Sequence, residues 1–148
     1  RYGIDVTVAN PKEFPLSINI IEKAKQNATA SGASIKFTNN MDEAFEGAQV
    51  VIPKNWGGFG AYSVPDYLNN EAECKKEMKS NLEKYKSWIC NEQKIKLADK
   101  NVKLMHALPA DRGHEVTDEI LDNENISIVF DEAENRLHTA KAIMALTM

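Results

Sequence analysis

Two neighbouring stretches decide the fold of this chain: MHALPADRGHEVTDEI at residues 105–120 and FDEAENR at residues 130–136. Each joins apolar residues typical of a buried strand to a cluster of polar side chains. A parallel sheet delivers its ligand-binding groups from the carboxyl ends of its strands in this way. The two stretches therefore predict a parallel sheet with a binding site along one edge.

The rest of the chain alternates between strand and helix patterns. Ser17, and Asn40 with Glu43 as a reciprocal capping partner, mark two helix starts, and Gly32 marks a helix end. Five strands separated by helices predict a doubly wound, Rossmann-like parallel α/β sheet flanked by helices. Strands are expected at residues 4–9, 35–37, 50–52, 102–105 and 126–130, and the longer helices at residues 17–32, 71–89 and 134–148.

Length and composition are those of an ordinary globular domain. The chain has 148 residues, 43% of them hydrophobic and 27% charged, with a net charge of −4. This acidic balance offers no basic face for nucleic acid. No apolar run approaches the roughly 20 residues that span a bilayer. We expect a cytoplasmic protein that binds neither nucleic acid nor membrane, with Cys74 and Cys90 as reduced thiols.

The turn that starts at His106 is the first candidate site. Pro109 has no N–H and restricts Leu108 to an extended conformation, so the carbonyls of Ala107 and Leu108 are free to point out of the sheet. Unpaired carbonyls are good acceptors for an NH2 group. A plain strand-ending turn is the alternative interpretation of this segment on its own.

Arg136 is the second candidate. It follows Asp131, Glu132 and Glu134 just after a predicted strand, at a predicted helix start. An arginine held by such acids still offers its fork to a carbonyl or phosphate oxygen. The alternative is a purely structural ion pair.

The third candidate is the glycine-rich loop KNWGGFG at residues 54–60. Glycines allow close backbone approach, and exposed N–H groups receive anions. The pattern matches neither the dinucleotide fingerprint nor the P-loop. Its aromatic residues would otherwise simply plug the top of the sheet. The residues in question are Lys54, Asn55, Trp56, Gly57, Gly58 and Phe59.

In this order the three segments resemble the amino-acid-binding, carboxyl-terminal half of the carbamoyltransferases, the family of aspartate and ornithine carbamoyltransferase. The family's His-Cys-Leu-Pro motif reads HALP at residues 106–109, and its Phe-x-Glu-Ala-Glu-Asn-Arg motif reads FDEAENR at residues 130–136. The family's Asp-x-Trp-x-Ser-Met-Gly loop corresponds to residues 54–60. The residues within these motifs are most similar to those of a poorly assigned bacterial branch of the family. That branch is related to carbamoyltransferases that have a knotted chain.

The resemblance implies a role for each motif. The backbone carbonyls of Ala107 and Leu108 would hold the carbamoyl nitrogen, and Arg136 would contact carbamoyl phosphate. His106 and Arg136 would be the catalytic residues, and the loop at residues 54–59 would bind the acceptor. The resemblance also implies a reaction without metal or organic cofactor, in a homotrimer or larger assembly.

Two departures from the family pattern bear on the acceptor. Lys54 stands where the ornithine enzymes have an aspartate, and Ala107 stands where they have a cysteine. A carboxylate that would attract an ammonium group has become a cation that repels it. Ornithine is therefore not the expected acceptor, and Lys54 suits a carboxylate or another anionic group instead.

The expected function is transfer of the carbamoyl group from carbamoyl phosphate to an amine. Residues 1–148 are expected to form one acceptor-binding domain without its usual first strand. No Ser-Thr-Arg phosphate loop of an amino-terminal carbamoyl-phosphate domain occurs in these residues, so the chain alone is expected to be inactive. A non-catalytic small-ligand sensor on the same fold is the alternative. A nucleotide-dependent oxidoreductase is disfavoured because its glycine-rich βα turn is missing.

Overall fold

The computed structural model describes residues 2–54 and 71–148. The chain divides into two compact units, residues 1–46 and residues 47–148. The predicted acceptor-binding residues Asn55, Trp56, Gly57, Gly58 and Phe59 lie outside the described residues. So does the side chain of Cys74.

The first unit is a β-α-β-α segment. It contains β1 (Val6–Ala9), α1 (Ile18–Ser31), β2 (Ile35–Thr38) and α2 (Met41–Phe45). The two strands pair in parallel with Val6 opposite Ile35. Helix α1 ends where the sequence predicts, because Gly32 adopts the left-handed conformation, with φ +70°, that glycine accepts without strain.

The predicted reciprocal cap of α2 is wrong in one half. The Asn40 side chain accepts the backbone N–H of Asp42 at 3.1 Å, as an N-cap should. Glu43 instead turns to β2, where it accepts from the Thr38 hydroxyl at 2.5 Å and pairs with Lys36. The Lys36 ammonium and then the Thr38 hydroxyl hold the pKa of Glu43 below its usual value. The cation on the neighbouring strand therefore competes successfully for the carboxylate.

The second unit carries the motifs singled out in the sequence. Its elements are β3 (Val50–Val51), α3 (Glu71–Lys84), α4 (Glu92–Ile95), β4 (Lys103–Leu104), α5 (Asp118–Leu121) and α6 (Val129–Thr147). Strands β3 and β4 pair in parallel, with Val51 opposite Leu104. The best-buried side chains are Leu104, Val116, Val129 and Cys90. Helix α3 ends at Lys84, five residues before the predicted end.

The predicted strand at residues 126–130 is wrong. Only a single bridge forms there, between Ser127 and Leu104: Leu104 donates to the Ile126 carbonyl at 2.8 Å, and Ile128 donates to the Leu104 carbonyl at 3.0 Å. The chain then enters α6 at Val129, so the last helix begins five residues before the predicted Glu134. Val129 is 1% exposed, and its burial suits a helix start as well as a strand.

The predicted parallel α/β class is confirmed, because both observed strand pairs are parallel and helices separate the strands. In the second unit, Lys54 follows β3 and His106 follows β4, so both come after the carboxyl ends of neighbouring strands. Among the described residues, none of the helices combines the length and the apolar character needed to cross a membrane.

Cys90 gives a direct test of the second unit's core. The thiol is fully buried, and that burial raises its pKa to about 12. A buried, protonated thiol reacts poorly because the thiolate is the nucleophile. Iodoacetamide at pH 8, followed by peptide mass mapping, should therefore modify Cys90 ~100-fold more slowly in the folded chain than in guanidinium chloride. Equal rates in both conditions would contradict this packing.

Candidate functional site

A cavity of about 830 Å³ opens where β4 ends and α6 begins. Two segments supply most of its wall, the turn after β4 and the first two turns of α6. The lining residues are His106, Ala107, Leu108, Pro109, Ala110, Arg112, Leu121, Val129, Phe130, Glu132, Ala133 and Arg136. The structure thus brings together the four predicted site residues His106, Ala107, Leu108 and Arg136.

His106 is fixed by hydrogen bonds on both ring nitrogens. Its side chain is 5% exposed. The Leu108 backbone N–H donates to Nδ1 at 2.9 Å, so Nδ1 carries no proton in this arrangement. Nε2 lies 2.7 Å from Glu115 Oε2 and is therefore the donor of that pair. The imidazole consequently acts as a bridge between the buried carboxylate and the backbone of the turn.

Glu115 is a site residue that the sequence interpretation missed. It is 2% exposed, and its Oε2 also lies 3.4 Å from the backbone nitrogen of Asp111, which donates to it. A turn brings the residue back to His106: Gly113 has φ +76° and donates its N–H to the Val116 carbonyl at 2.9 Å. A lone acid beside a buried valine gives no sequence signal for such a role, because acids are usually exposed.

The backbone at Leu108 adopts an uncommon conformation. Its φ is +47°, and its bond to Pro109 is cis. A leucine in the left-handed region costs about 1–2 kcal/mol, which the hydrogen bond from Leu108 to His106 helps to offset. The predicted extended conformation at Leu108 is therefore wrong. The expected free carbonyls are nevertheless observed, since neither the Ala107 nor the Leu108 carbonyl accepts a hydrogen bond within the described residues.

Arg136 is the eighth residue of α6, about two turns into the helix and not at its start as the sequence predicts. Two of the three acids expected to hold it have other partners. Glu132 accepts the His106 backbone N–H at 2.9 Å, and Glu134 pairs with His138 at 3.2 Å. Within the described part of the chain, Arg136 has no hydrogen bond or ion pair, which speaks against the structural ion-pair interpretation.

Arg112, the other arginine on the cavity wall, is committed to its neighbours. It donates to Asp118 at 2.7 Å and, through two nitrogens, to both oxygens of Asp122 at 2.7 Å. This fork raises the pKa of Arg112, chiefly through Asp122, and lowers the pKa of Asp122. The two cavity arginines therefore differ: carboxylates neutralise the guanidinium of Arg112, and the guanidinium of Arg136 has no carboxylate partner among the described residues.

Lys54 is exposed and does not line this cavity. It follows β3 by three residues, while His106 follows the adjacent parallel strand β4 by two. The Met105 backbone N–H donates to the Val51 carbonyl at 3.0 Å, which keeps the two chain segments side by side. Lys54 and the cavity therefore share one sheet edge, the edge at which parallel sheets bind ligands.

Comparison with known proteins gives one consistent family. The family model for the aspartate/ornithine carbamoyltransferase Asp/Orn binding domain matches residues 1–147. The chain is 38% identical over 144 residues to the ornithine carbamoyltransferase of Caldicellulosiruptor saccharolyticus, covering 97% of this chain and 42% of that protein. It is also 38% identical over 146 residues to the N-acetylornithine carbamoyltransferase of Xanthomonas campestris pv. campestris, covering 98% of this chain and 40% of that protein.

Solved structures agree with these relatives. Acetylornithine transcarbamylase complexed with acetylcitrulline superimposes with a TM-score of 0.75 at 36% identity, covering 97% of this chain and 40% of that one. The ornithine carbamoyltransferase of Pyrococcus furiosus gives a TM-score of 0.75 at 36% identity, covering 96% and 41%. The chain therefore spans about two fifths of the length of these relatives.

The buried pair makes a stability prediction. Replacing Glu115 with alanine leaves the His106 Nε2–H without an acceptor in a closed environment, which costs about 2–4 kcal/mol of the free energy of unfolding. Glu115→Gln keeps an acceptor oxygen and should cost less than half as much. Urea unfolding followed by circular dichroism measures both variants.

Glu124→Ala is the matched control, because it removes an exposed acid from a nearby loop. Such a surface change should stay within about 0.5 kcal/mol of the wild type. If Glu115→Ala unfolds at the same urea concentration as Glu124→Ala, the buried pair does not stabilise the turn.

Proposed function

Since the chain belongs to the aspartate/ornithine carbamoyltransferase family, we propose that its parent protein transfers the carbamoyl group of carbamoyl phosphate to an amine. One observation carries this proposal: the backbone carbonyls of Ala107 and Leu108 line the same cavity as the guanidinium of Arg136, and none of the three has a hydrogen-bond partner among the described residues. A carbamoyl group needs both kinds of partner, because its NH2 donates hydrogen bonds and its carbonyl oxygen accepts them.

The reaction follows from these two partners. The neutral amine attacks the carbamoyl carbon, and negative charge develops on the carbamoyl oxygen as the tetrahedral intermediate forms. Arg136 stabilises this charge, while the carbonyls of Ala107 and Leu108 hold the NH2 group in a fixed orientation. The bond from carbon to the phosphate oxygen then breaks, the attacking nitrogen gives its proton to the departing phosphate, and a ureido product and hydrogen phosphate leave.

His106 takes a positioning role in this proposal. Both of its ring nitrogens are hydrogen-bonded inside the protein, to Leu108 and to Glu115, so neither is open to a substrate. The sequence interpretation made His106 a catalytic residue. The contacts instead favour an imidazole that fixes the conformation of Leu108, whose carbonyl meets the carbamoyl group. Arg136 remains the proposed catalytic residue.

Lys54 defines the class of acceptor in our proposal. Relatives that use ornithine and relatives that use N-acetylornithine are similar to the chain at the same level, 38% identity, so overall similarity does not choose between them. A lysine in place of the family's aspartate repels a second ammonium group and attracts a carboxylate. We therefore propose an acceptor with one reactive amine and a carboxylate, whose other amine is acylated or missing.

Phosphate release by the complete parent polypeptide tests the acceptor class. The acceptors are N-acetylornithine, ornithine, 4-aminobutyrate and putrescine, which combine carboxylate and ammonium groups differently. We expect release with an amine that carries a carboxylate and no second ammonium, and none with putrescine. Lys54→Asp should raise the kcat/KM ratio of ornithine to N-acetylornithine at least ~10-fold, because the charge next to the acceptor is reversed.

Lys100→Ala is the control, since this exposed lysine precedes β4 at the opposite end of the strand. It should leave the ratio unchanged. Efficient release with ornithine by the wild type would contradict the role given to Lys54. Carbamoyl phosphate binding without release for any amine would favour the non-catalytic sensor.

Three further expectations belong to the same proposal. The parent protein is a homotrimer or larger assembly, as the family resemblance implies. It acts in the cytoplasm. Residues 1–148 alone do not turn over, because the family's Ser-Thr-Arg phosphate loop does not occur among them. Residues 1–148 would then serve as the acceptor-binding domain of the enzyme.

A further inference from the structure

We infer that Glu132 is a positioning residue that holds Arg136 in register with the Ala107–Leu108 turn. The inference rests on the proposed function, since it concerns the placement of the carbamoyl-binding groups. Glu132 accepts the backbone N–H of His106 at 2.9 Å across 26 residues of sequence. It is thus a direct link between α6 and the turn after β4.

The spacing of residues along α6 relates the Glu132–His106 hydrogen bond to the guanidinium of Arg136. Glu132 and Arg136 are four residues apart on α6, so they lie on the same face of the helix, and both line the cavity. The residue that Glu132 holds, His106, is bonded in turn to the Leu108 N–H. A chain of two hydrogen bonds therefore runs from the helix that carries Arg136 to the turn that carries the carbonyls.

The rest of α6 gives the helix little other support in the described structure. Of its 19 residues, Val129 is the one that is buried. Phe130 and Leu137, on either side of the Glu132–Arg136 pair, are 74% and 56% exposed. The first turn of α6 thus bears the anchoring contacts. Without the Glu132 bond, the start of α6 would be held, among the described residues, by the buried Val129 and by the bond from Ile128 N–H to the Leu104 carbonyl, and Arg136 would be placed less firmly.

Glu132 could affect ligand binding through its hydrogen bond to His106 or through its negative charge, and the two roles predict opposite effects when the side chain is removed. A carboxylate one turn from Arg136 weakens the attraction of the cavity for an anion. If Glu132 acted mainly through its charge, removing it would improve carbamoyl phosphate binding. If it acts as a link, its removal weakens binding because Arg136 and the carbonyls no longer meet the same ligand. Glutamine separates these effects, since it keeps an acceptor oxygen without the charge.

The test is carbamoyl phosphate binding by the complete parent polypeptide, measured by isothermal titration calorimetry with thermal unfolding in parallel. Glu132→Ala should weaken binding at least ~10-fold, because the loss is one of positioning, and should lower the unfolding temperature modestly, because the His106 N–H loses its acceptor. Glu132→Gln should keep affinity within about threefold of the wild type, because the acceptor oxygen is retained. Asp131→Ala, which removes the adjacent exposed first-turn acid, is the control for charge and helix stability.

A double-mutant cycle with Arg136→Gln identifies the residue through which Glu132 acts. When Arg136 is absent, Glu132→Ala should weaken binding by less than about threefold, because the two effects are coupled. A purely structural role would give the same loss in both backgrounds.

Equal losses in both backgrounds, or tighter binding by Glu132→Ala, would overturn the inference. So would a Glu132→Gln variant as weak as Glu132→Ala. A wild-type protein that binds carbamoyl phosphate but transfers nothing would contradict the proposed function alone, and the cycle would still be readable.

Discussion

A buried imidazole held from both sides sets the geometry of the whole site. Glu115 occupies Nε2 of His106, and the Leu108 backbone N–H occupies Nδ1. These bonds help to offset the cost of the left-handed Leu108, and in the described part of the chain the carbonyls of Ala107 and Leu108 accept no hydrogen bond. Because an unsatisfied buried polar group is costly, the arrangement resists local change. The turn therefore has its conformation before any ligand binds. Under the proposed function, such a preformed turn would orient the carbamoyl group without further rearrangement.

Hydrogen bonds and ion pairs also determine which charged groups the cavity wall presents. Arg112 and Arg136 both face the cavity, yet Asp118 and Asp122 neutralise Arg112 and leave Arg136 charged. Glu132, which lies four residues before Arg136 on the same helix face, accepts the His106 backbone N–H with one carboxylate oxygen. Under the proposed function, an anionic ligand in this cavity would meet one cation without a carboxylate partner among the described lining residues, not a diffuse basic surface. This selectivity suits a small phosphorylated donor better than a polyanion.

The sequence predicts the local elements of the first unit well, because their signals are local. Gly32 ends α1 through its own backbone conformation, and Asn40 caps α2 through its own side chain. Sequence-based prediction fails where a local signal competes with a contact to a distant part of the chain. Glu43 leaves the cap of α2 for Lys36, and the apolar run before Phe130 begins a helix instead of a strand. A short β-branched run fits either a buried strand or a buried helix start, and only tertiary packing decides.

The candidate site likewise combines residues that the sequence predicts with contacts that it does not. The edge rule for parallel sheets correctly anticipates a site at His106, Ala107 and Leu108 after β4, whereas Arg136 reaches the same cavity from within α6 and not from the end of a strand. Glu115 and Glu132 escape prediction because their partners are 9 and 26 residues away, one of them a backbone N–H. No periodicity or composition marks such a contact. These two acids join the separate motifs into one site.

A crystal structure of the parent polypeptide with carbamoyl phosphate would show directly whether the turn after β4 and Arg136 bind the carbamoyl group together. We expect the carbamoyl NH2 to lie within hydrogen-bond distance of the Ala107 and Leu108 carbonyls, Arg136 to contact the carbamoyl or phosphate oxygens, and His106 to keep its bonds to Glu115 and Leu108. A carbamoyl phosphate bound away from this cavity, or a His106 ring that leaves Glu115 to contact the ligand, would contradict this expectation.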